Sequence, residues 1–410
     1  MRENARALRG AIVLVIACAV CAGTAAAELR AGRAAVRITP AAGVPMGSSY
    51  GLTISAGTHD DLYVKALALE SGEARVAIVA CDLISLRPAL VVELRRVVER
   101  VTGLSADRVM LHATHTHCGP QMHSLFLNLI GGEAARMGEK YRAELPGKVA
   151  EAVRLALADL QPARAWWGLG REEHVSFNRR FLMKDGGVVM NPNPRSPDLV
   201  RAMSGIDPAV PVLYFDSPDG KPLATWVNFA MHPAIAGGPA FSADYPGRLA
   251  ATLAKIKGPQ MLTLFTMGTA GDVNHLDVTA KDQERGQRQV ERVGEILAAD
   301  VIRTYSSLRP IRDTTLRFRR TRLRLPPREY SVAELEEARR NFPQYGARGG
   351  PPFLDVVKAW RVMESAELAG APLETDVQAM SLGDEVAWVG RHQQTTLGDF
   401  DAGLDDVFLV

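Results

Sequence analysis

The stretch ARVAIVACDLISLRPALVVELRRVVERVTGLSADRVMLHATHTHCGP, residues 74–120, decides the fold. It opens on an apolar, β-branched run and closes on another. Between them, RPALVVELRRVVERVTG places apolar residues at helical spacing, with Pro88 near its start and Gly103 after its end. The order strand, helix, strand implies a parallel crossover, since a helix between two buried strands carries the chain back to the same sheet edge. His112, His115 and His117 then lie near the carboxyl end of a sheet strand, where open α/β sheets place ligands.

Working outward, VKALALE (64–70) is a further strand, and EAARMGEKYRAELPGKVAEAVRLALADL (133–160) a helix interrupted or kinked near Pro146. ARAWWGLGREEHVSFNRR (163–180) reads as strand and loop. PVLYFD and LATWVNFAMHP form a hairpin across the turn SPDGKP (217–222). FSADYPGRLAATLAKI (241–256) starts a helix with a polar cap, and MLTLFTMGTAGDVNH (261–275) is again an apolar strand running into a glycine-rich polar loop. A long helix from about Glu284 leads to TTLRFRRTRLRLPP (314–327), read as an arginine-rich edge strand with a bulge at Arg319–Arg320; a solvated edge that resists strand pairing explains it better than a lipid headgroup site. Two helices separated by YGARGGPPF and a strand, DVQAMSLGDEVAWVG (376–390), complete the pattern. The expected fold is α/β, with mixed central sheets flanked by helices in a single large domain over residues 28–390, followed by an atypical tail over 391–410.

The first residues read as an export signal. Arg2, Arg6 and Arg9 precede the short apolar run AIVLVIACAVCAG, and small residues offer cleavage near Ala27. Lipidation at Cys18 is the less favoured reading, because hydrophobic residues continue past it. No later stretch approaches the roughly 20 apolar residues that span a bilayer. The three arginines and one glutamate of the signal account for the whole net charge of +2. A neutral remainder argues against nucleic acid, which calls for a strong basic excess. Beyond the signal only Cys81 and Cys118 remain, read as two small buried residues rather than a disulfide scaffold. The expectation is a periplasmic or secreted protein with at most peripheral membrane contact; the sequence carries no mark of an oligomeric state.

Three strand ends carry histidine: HATHTH, FAMHP and TAGDVNH. His115 and His117 alternate by the strand period and so face one side, and two imidazoles joined by a third from another strand end make a catalytic zinc site with one open position. His232 is that third candidate, with a structural histidine as its alternative. Asp272, Asn274 and His275 sit on a glycine-hinged loop, where Asp and Asn also form turns by bonding their own backbone. Asp244 is either a first-turn helix residue or a partner that fixes an imidazole. Arg179 is either a surface ion pair or a clamp for a substrate carboxylate or phosphate.

HATHTHCGP (112–120), NFAMHP (228–233), SADYPG (242–247) and GTAGDVNH (268–275) occur in the order seen in the N-terminal catalytic domain of the neutral/alkaline ceramidases and their shorter bacterial relatives. AGRAAVRITPAAGVPMGSSYG, THDDLYVKALALE and VAIVACDLISL also resemble that family's amino-terminal region. The resemblance covers most of residues 30 to 390. It implies a zinc enzyme hydrolysing an N-acyl amide, with His115 and His232 as ligands and His117 beside the open position as acid or oxyanion donor. Asp244 and Asn274 join His117 as candidate catalytic residues; Asp272, His275, Arg179 and His392 are candidates around them.

Three departures qualify what the resemblance implies. Asn274 stands where the family has a catalytic serine; an amide orients water or donates to an oxyanion but is no nucleophile. After EVAWVG, where the family continues with an LPGE-like segment bearing a metal-binding glutamate, this chain reads RHQQTTLGDF, with His392 the positional replacement. The sequence stops at Val410, before the family's tyrosine and its carboxyl-terminal immunoglobulin-like domain. An altered reading frame past Gly390 would produce so abrupt an end. The expected substrate is an N-acylated or other amide-bearing small molecule or lipid, rather than long-chain ceramide itself. A metal-dependent esterase on the same site and a degenerate, non-catalytic envelope binding protein are the alternatives.

Overall fold

A computed structural model describes residues 28–47, 52–193, 196–280, 283–345, 350–391 and 407–409. The expected signal segment and His392 lie outside the described residues. The first sheet contains β1 (Leu29–Arg37), β2 (Tyr63–Ser71), β3 (Ala74–Cys81), β4 (Val109–Ala113) and β5 (Gln161–Pro162), in the order β4-β3-β2-β1-β5. Only β3 and β4 run parallel, and helix α1 (Pro88–Thr102) makes the crossover. Its ends are set by Pro88 in the first turn and by Gly103, whose φ of 72° closes the helix with an N–H to Glu99 O.

The second sheet repeats the theme. It is built from β6 (Arg164–Arg171), β7 (Ala209–Asp216), β8 (Pro222–Phe229), β9 (Leu262–Met267) and β10 (Arg309–Pro310), ordered β9-β8-β7-β6-β10. The β7–β8 hairpin is antiparallel, and β8 and β9 are the parallel pair. Helices α2 (Ser124–Ile130) and α3 (Gly132–Ala158) follow the first parallel pair, and α4 (Asp244–Lys257) joins β8 to β9. α5 (Gln287–Tyr305) packs beside α4. α3 is one continuous helix through Pro146, so the expected interruption is absent; Pro146 is buried in the helix's packed face, which holds the turn together despite the lost N–H.

Alternation along the strands explains the layering. Leu67 and Leu69 of β2 share a core with Leu213, Phe215, Trp226 and Leu264, so the two sheets meet face to face. Val64, Ala66 and Ala68 point the other way and pack with Leu94, Val149 and Val153, while Val212 and Phe265 of the second sheet pack with Leu249 and Leu297. Sheets at the centre and helices outside is the result.

A third sheet, β11 (Leu316–Leu325), β12 (Leu373–Leu382), β13 (Val386–Arg391) and β14 (Val407–Leu409), follows, with α6 (Val332–Asn341) and α7 (Phe353–Glu367) between its first two strands. β11 is the expected edge strand, but its register on β12 is continuous from Leu316 to Leu325, so there is no bulge. Arg320 keeps the inward phase of Leu316 and Phe318, where its guanidinium forms an ion pair with Asp376, Nε to Oδ2 at 2.9 Å. The segment 376–390 is a hairpin, β12 and β13, instead of one strand; Gly383 turns it with φ 56°. Cys81 and Cys118 are buried free thiols. Among the described residues, no helix is long and apolar enough to cross a membrane.

Candidate metal centre

The carboxyl ends of the two parallel pairs face one another, and the histidines come from both. β4 ends at Ala113, so His115 and His117 do not alternate along a strand; His115 has a φ of 67° and turns the chain. The segment is held by backbone bonds instead. Thr114 N–H donates to Cys81 O at 2.8 Å, His115 N–H to Leu83 O at 2.9 Å, and His117 N–H to Pro233 O at 2.9 Å. Thr116 Oγ1 donates to Ser242 O at 2.6 Å, tying the first sheet's loop to the second sheet's.

His115 Nδ1 lies 2.7 Å from Ile84 O, and His232 Nδ1 lies 2.7 Å from Ala270 O and 3.1 Å from Val273 O. A carbonyl only accepts, so both Nδ1 atoms carry the proton and both Nε2 atoms are bare. The ring centroids of His115, His117 and His232 are 4.7 to 5.6 Å apart, and one nitrogen from each falls within 4.8 Å of the others. His117 Nε2 is 3.3 Å from His115 Nε2. Because His115 Nε2 is bare, His117 Nε2 is the donor of that contact.

Burial, aided by the nearby Arg179 charge, pushes His115 down to about 4, and burial likewise holds His117 and His232 well below the usual imidazole range. Neutral imidazoles whose Nδ1 atoms are anchored on carbonyls, as at His115 and His232, are the donors zinc takes. Among the described residues no carboxylate joins the three.

No protein-family model matches the sequence. Neutral ceramidase of Pseudomonas aeruginosa is 28% identical over 186 residues, which are 43% of this chain and 26% of that protein. The crystal structure of neutral ceramidase from Pseudomonas aeruginosa superposes with a TM-score of 0.64 at 20% identity, covering 87% of this chain and 61% of that one. Over those 186 residues the chain is similar in sequence to neutral ceramidase, and it shares the fold of that protein's solved structure. A structure of a ceramidase complexed with C2 gives a TM-score of 0.63 at 19% identity, over 87% of this chain and 62% of that one. The chain thus spans about a quarter of the curated relative's length and about three-fifths of the solved structures.

The structure places the other candidates around the three histidines as follows. Arg179 donates from Nε and Nη2 to Gly271 O at 3.1 and 2.6 Å, next to the carbonyl that orients His232, and its charge bears on all three imidazoles. His275 is buried, its imidazole pushed to about 4 by burial and by Arg285, and it stands close enough to act on His117. Asp272 lies behind the loop, accepting from Asn178 Nδ2 at 2.8 Å and Ser204 Oγ at 3.0 Å. Asn274 forms the self-bonding turn: its Oδ1 accepts from Leu276 N at 3.0 Å while its Nδ2 donates to Asn191 Oδ1 at 3.0 Å.

Asp244 is fully buried and touches no imidazole of the cluster in these bonds. Its Oδ2 accepts from Ile235 and Ala236 N–H at 2.8 and 2.9 Å, and its Oδ1 from Tyr245 N–H at 2.7 Å, so it braces the loop just beyond His232. Burial raises its carboxyl to about 6 against these bonds. The expected polar cap of α4 is replaced: Ala243 holds the cap position, and Ser242 Oγ accepts from Asp244 N–H at 3.0 Å. The anchors at Ile84, Ala270 and Val273 went unread because backbone carbonyls leave no side-chain signature, and Asn191 because only the fold brings it to Asn274.

Proposed function

We propose that this chain is an exported, zinc-dependent hydrolase of amide bonds that acts on an N-acylated small molecule or lipid. The observation that carries the reading is the convergence of two bare Nε2 atoms, His115 and His232, with the Nε2–H of His117 at one point between the sheets. The likeness to neutral ceramidase supports amide hydrolysis as the reaction class, and the amino-terminal signal signature supports export. His115 and His232 would hold the ion. Zinc bound there would supply Lewis acidity toward an amide carbonyl and toward water.

With His115 Nε2 taken up by the ion, the Nε2–H of His117 would turn from that nitrogen to the developing oxyanion or the leaving amine. Arg179 keeps positive charge near the three imidazoles, and its anchoring on Gly271 O fixes that charge relative to His232. Asp244 is a positioning residue through Ile235 and Ala236, and Asn274 ties Asn191 to the 268–275 segment, whose Ala270 and Val273 carbonyls face His232 Nδ1.

Elemental analysis of protein purified without chelator tests the assignment. About one equivalent of zinc is expected in the wild type and little in His115→Ala or His232→Ala. His117→Ala should keep the metal and lose turnover on N-acyl amides; loss of metal from that variant would make His117 a third ligand. A panel of matched amides and esters separates amidase from esterase, and wild-type protein without metal or turnover would hand the reading to a binding protein.

A further inference from the structure

Two residues of the centre hold a backbone shape that side chains other than glycine seldom take. His115 has a φ of 67° and Asp244 a φ of 56°, both left-handed. Such a conformation persists only where its surroundings fix it. His115 follows the first sheet's parallel pair, and Asp244 lies between β8 and β9 of the second, yet one run of hydrogen bonds joins the two turns. Thr116 Oγ1, next to His115, donates to Ser242 O at 2.6 Å and accepts from Cys118 N–H at 3.2 Å, while Ser242 N–H donates to Cys118 O at 3.1 Å. Ser242 Oγ in turn accepts from Asp244 N–H at 3.0 Å. Thr116, Ser242 and Asp244 are all fully buried.

The hydroxyl proton of Ser242 goes to a residue outside both loops. Ser242 Oγ donates to Asp60 Oδ2 at 2.6 Å, and Ala243 N–H donates to Asp60 Oδ1 at 2.7 Å. Asp60 stands just before Tyr63, where β2 starts, so it reaches from the first sheet onto the second sheet's loop. Its segment is strapped along that loop: Ala56 N–H donates to Pro239 O at 2.6 Å, His59 N–H to Phe241 O at 2.8 Å, and Gly57–Thr58 pairs in parallel with Ala240–Phe241. The carboxylate arrives at the first turn of α4. Ala243 holds the cap position there without a side-chain oxygen, so Asp60 supplies the acceptor from a distant part of the chain, at the helix end whose dipole favours negative charge. Gly247 leaves room for it, since a Cβ at that position would lie 3.2 Å from Asp60 Oδ1. Burial raises the Asp60 carboxyl, and the bonds from Ser242 and Ala243 work against that rise.

We propose that Asp60 is a positioning residue of the centre: by fixing Ser242 and Ala243 it holds the left-handed turn at Asp244 and, through Thr116, the turn that sets His115 and His117. The inference rests on the reading of His115 and His232 as the residues that would hold the ion. It extends that site to a carboxylate that acts through Ser242 and Thr116.

Amide hydrogen exchange of the full chain without metal, beside zinc affinity by competition with a chelator, tests it. Asp60→Asn offers one acceptor where two donors point. It should speed exchange about tenfold over residues 114–118 and 235–245 and weaken zinc binding about tenfold. Ser242→Ala keeps the carbonyl that Thr116 uses and loses the hydroxyl between Asp60 and Asp244, so it should move both readouts the same way; it carries the test should Asp60→Asn fail to fold. Asp216→Asn is the control. Asp216 is also buried and accepts from Arg164 Nε at 3.0 Å and Trp166 Nε1 at 2.9 Å, but it pairs with Pro222 at the start of β8, the end away from His232. That variant should lower the unfolding midpoint and leave both readouts at the wild-type level. Unchanged exchange at 114–118 in the Asp60 and Ser242 variants would overturn the proposal, as would an equal acceleration in Asp216→Asn. Wild-type chain that binds no zinc would sink the hydrolase reading instead, and the metal-free exchange would still decide the role of Asp60.

Discussion

At the residue scale, His112 and His115 show how three positions separate a structural imidazole from one that joins the histidine cluster. His112 lies near the end of β4 against Gly390, and its buried Nε2 has no hydrogen-bond partner among the described residues. Burial, and then the charge of Arg95, pushes it to about 4. Its unfolded value is about 6.5. As pH falls from that value toward 4 the unfolded chain takes up the proton first, so stability is lost across this window and is complete above it. A gap of that size corresponds to about 3 kcal/mol. His112→Leu, which abandons no bond at Nε2, should flatten the pH dependence of urea unfolding by about one proton between pH 6.5 and 4; an unchanged slope would rule out this account. Asp244 gives the complementary case. Asp244→Ala would strand the amides of Ile235, Ala236 and Tyr245 in a buried loop, at about 3 kcal/mol or more. Zinc affinity should fall with it, because His232 precedes that loop; a variant destabilised to this extent with unchanged zinc affinity would confine Asp244 to the fold.

At the element scale, the crossover from β3 through α1 to β4 was legible because its signals are local: β-branched runs, helical spacing, Pro88 and Gly103. The departures share a physical cause, which is that distant partners outvote local pattern. Pro146 does not break α3, because the helix is buried on both sides of it. The phase change suspected at Arg319–Arg320 vanishes because Arg320 turns inward to Asp376, a residue of the neighbouring strand. Asp376 is the hub of that junction: despite burial, Arg95 and Arg320 hold its carboxyl below the usual range. Arg95, 2% exposed, donates from Nη1 to Asp376 at 2.5 Å and from Nε to Val109 O at 3.1 Å, and so joins α1, the start of β4 and the third sheet. Removing one member of a buried pair costs about 3–5 kcal/mol. Arg95→Met should therefore destabilise strongly, whereas Arg95→Met with Asp376→Leu should recover part of the loss; a double-mutant cycle that gives simple additivity would show that the two do not act as a pair.

At the scale of the whole molecule, the centre is a joint between two sheets. His115 and His117 hang from the first sheet's parallel pair and His232 from the second, and the His117 N–H to Pro233 O and Thr116 to Ser242 O bonds are the cross-ties between them. The residue types of this joint were legible in HTH and HP, yet its geometry was not, because the left-handed turn at His115 and the carbonyls behind each ring exist only once both sheets are in place. A metal held across the joint binds the folded chain and has no preformed site in the unfolded one, so it should stabilise the molecule by mass action, about 2.7 kcal/mol at a free concentration a hundredfold above its dissociation constant. Thermal unfolding in chelator and in graded zinc should show a midpoint that rises with zinc for the wild type. His232→Ala removes the second sheet's share of the joint and should make the midpoint indifferent to zinc, while Arg179→Ala, which leaves all three rings in place, should keep the dependence. A wild-type midpoint that zinc does not move would mean that the histidines close the joint by packing alone, and the hydrolase reading would lose its centre.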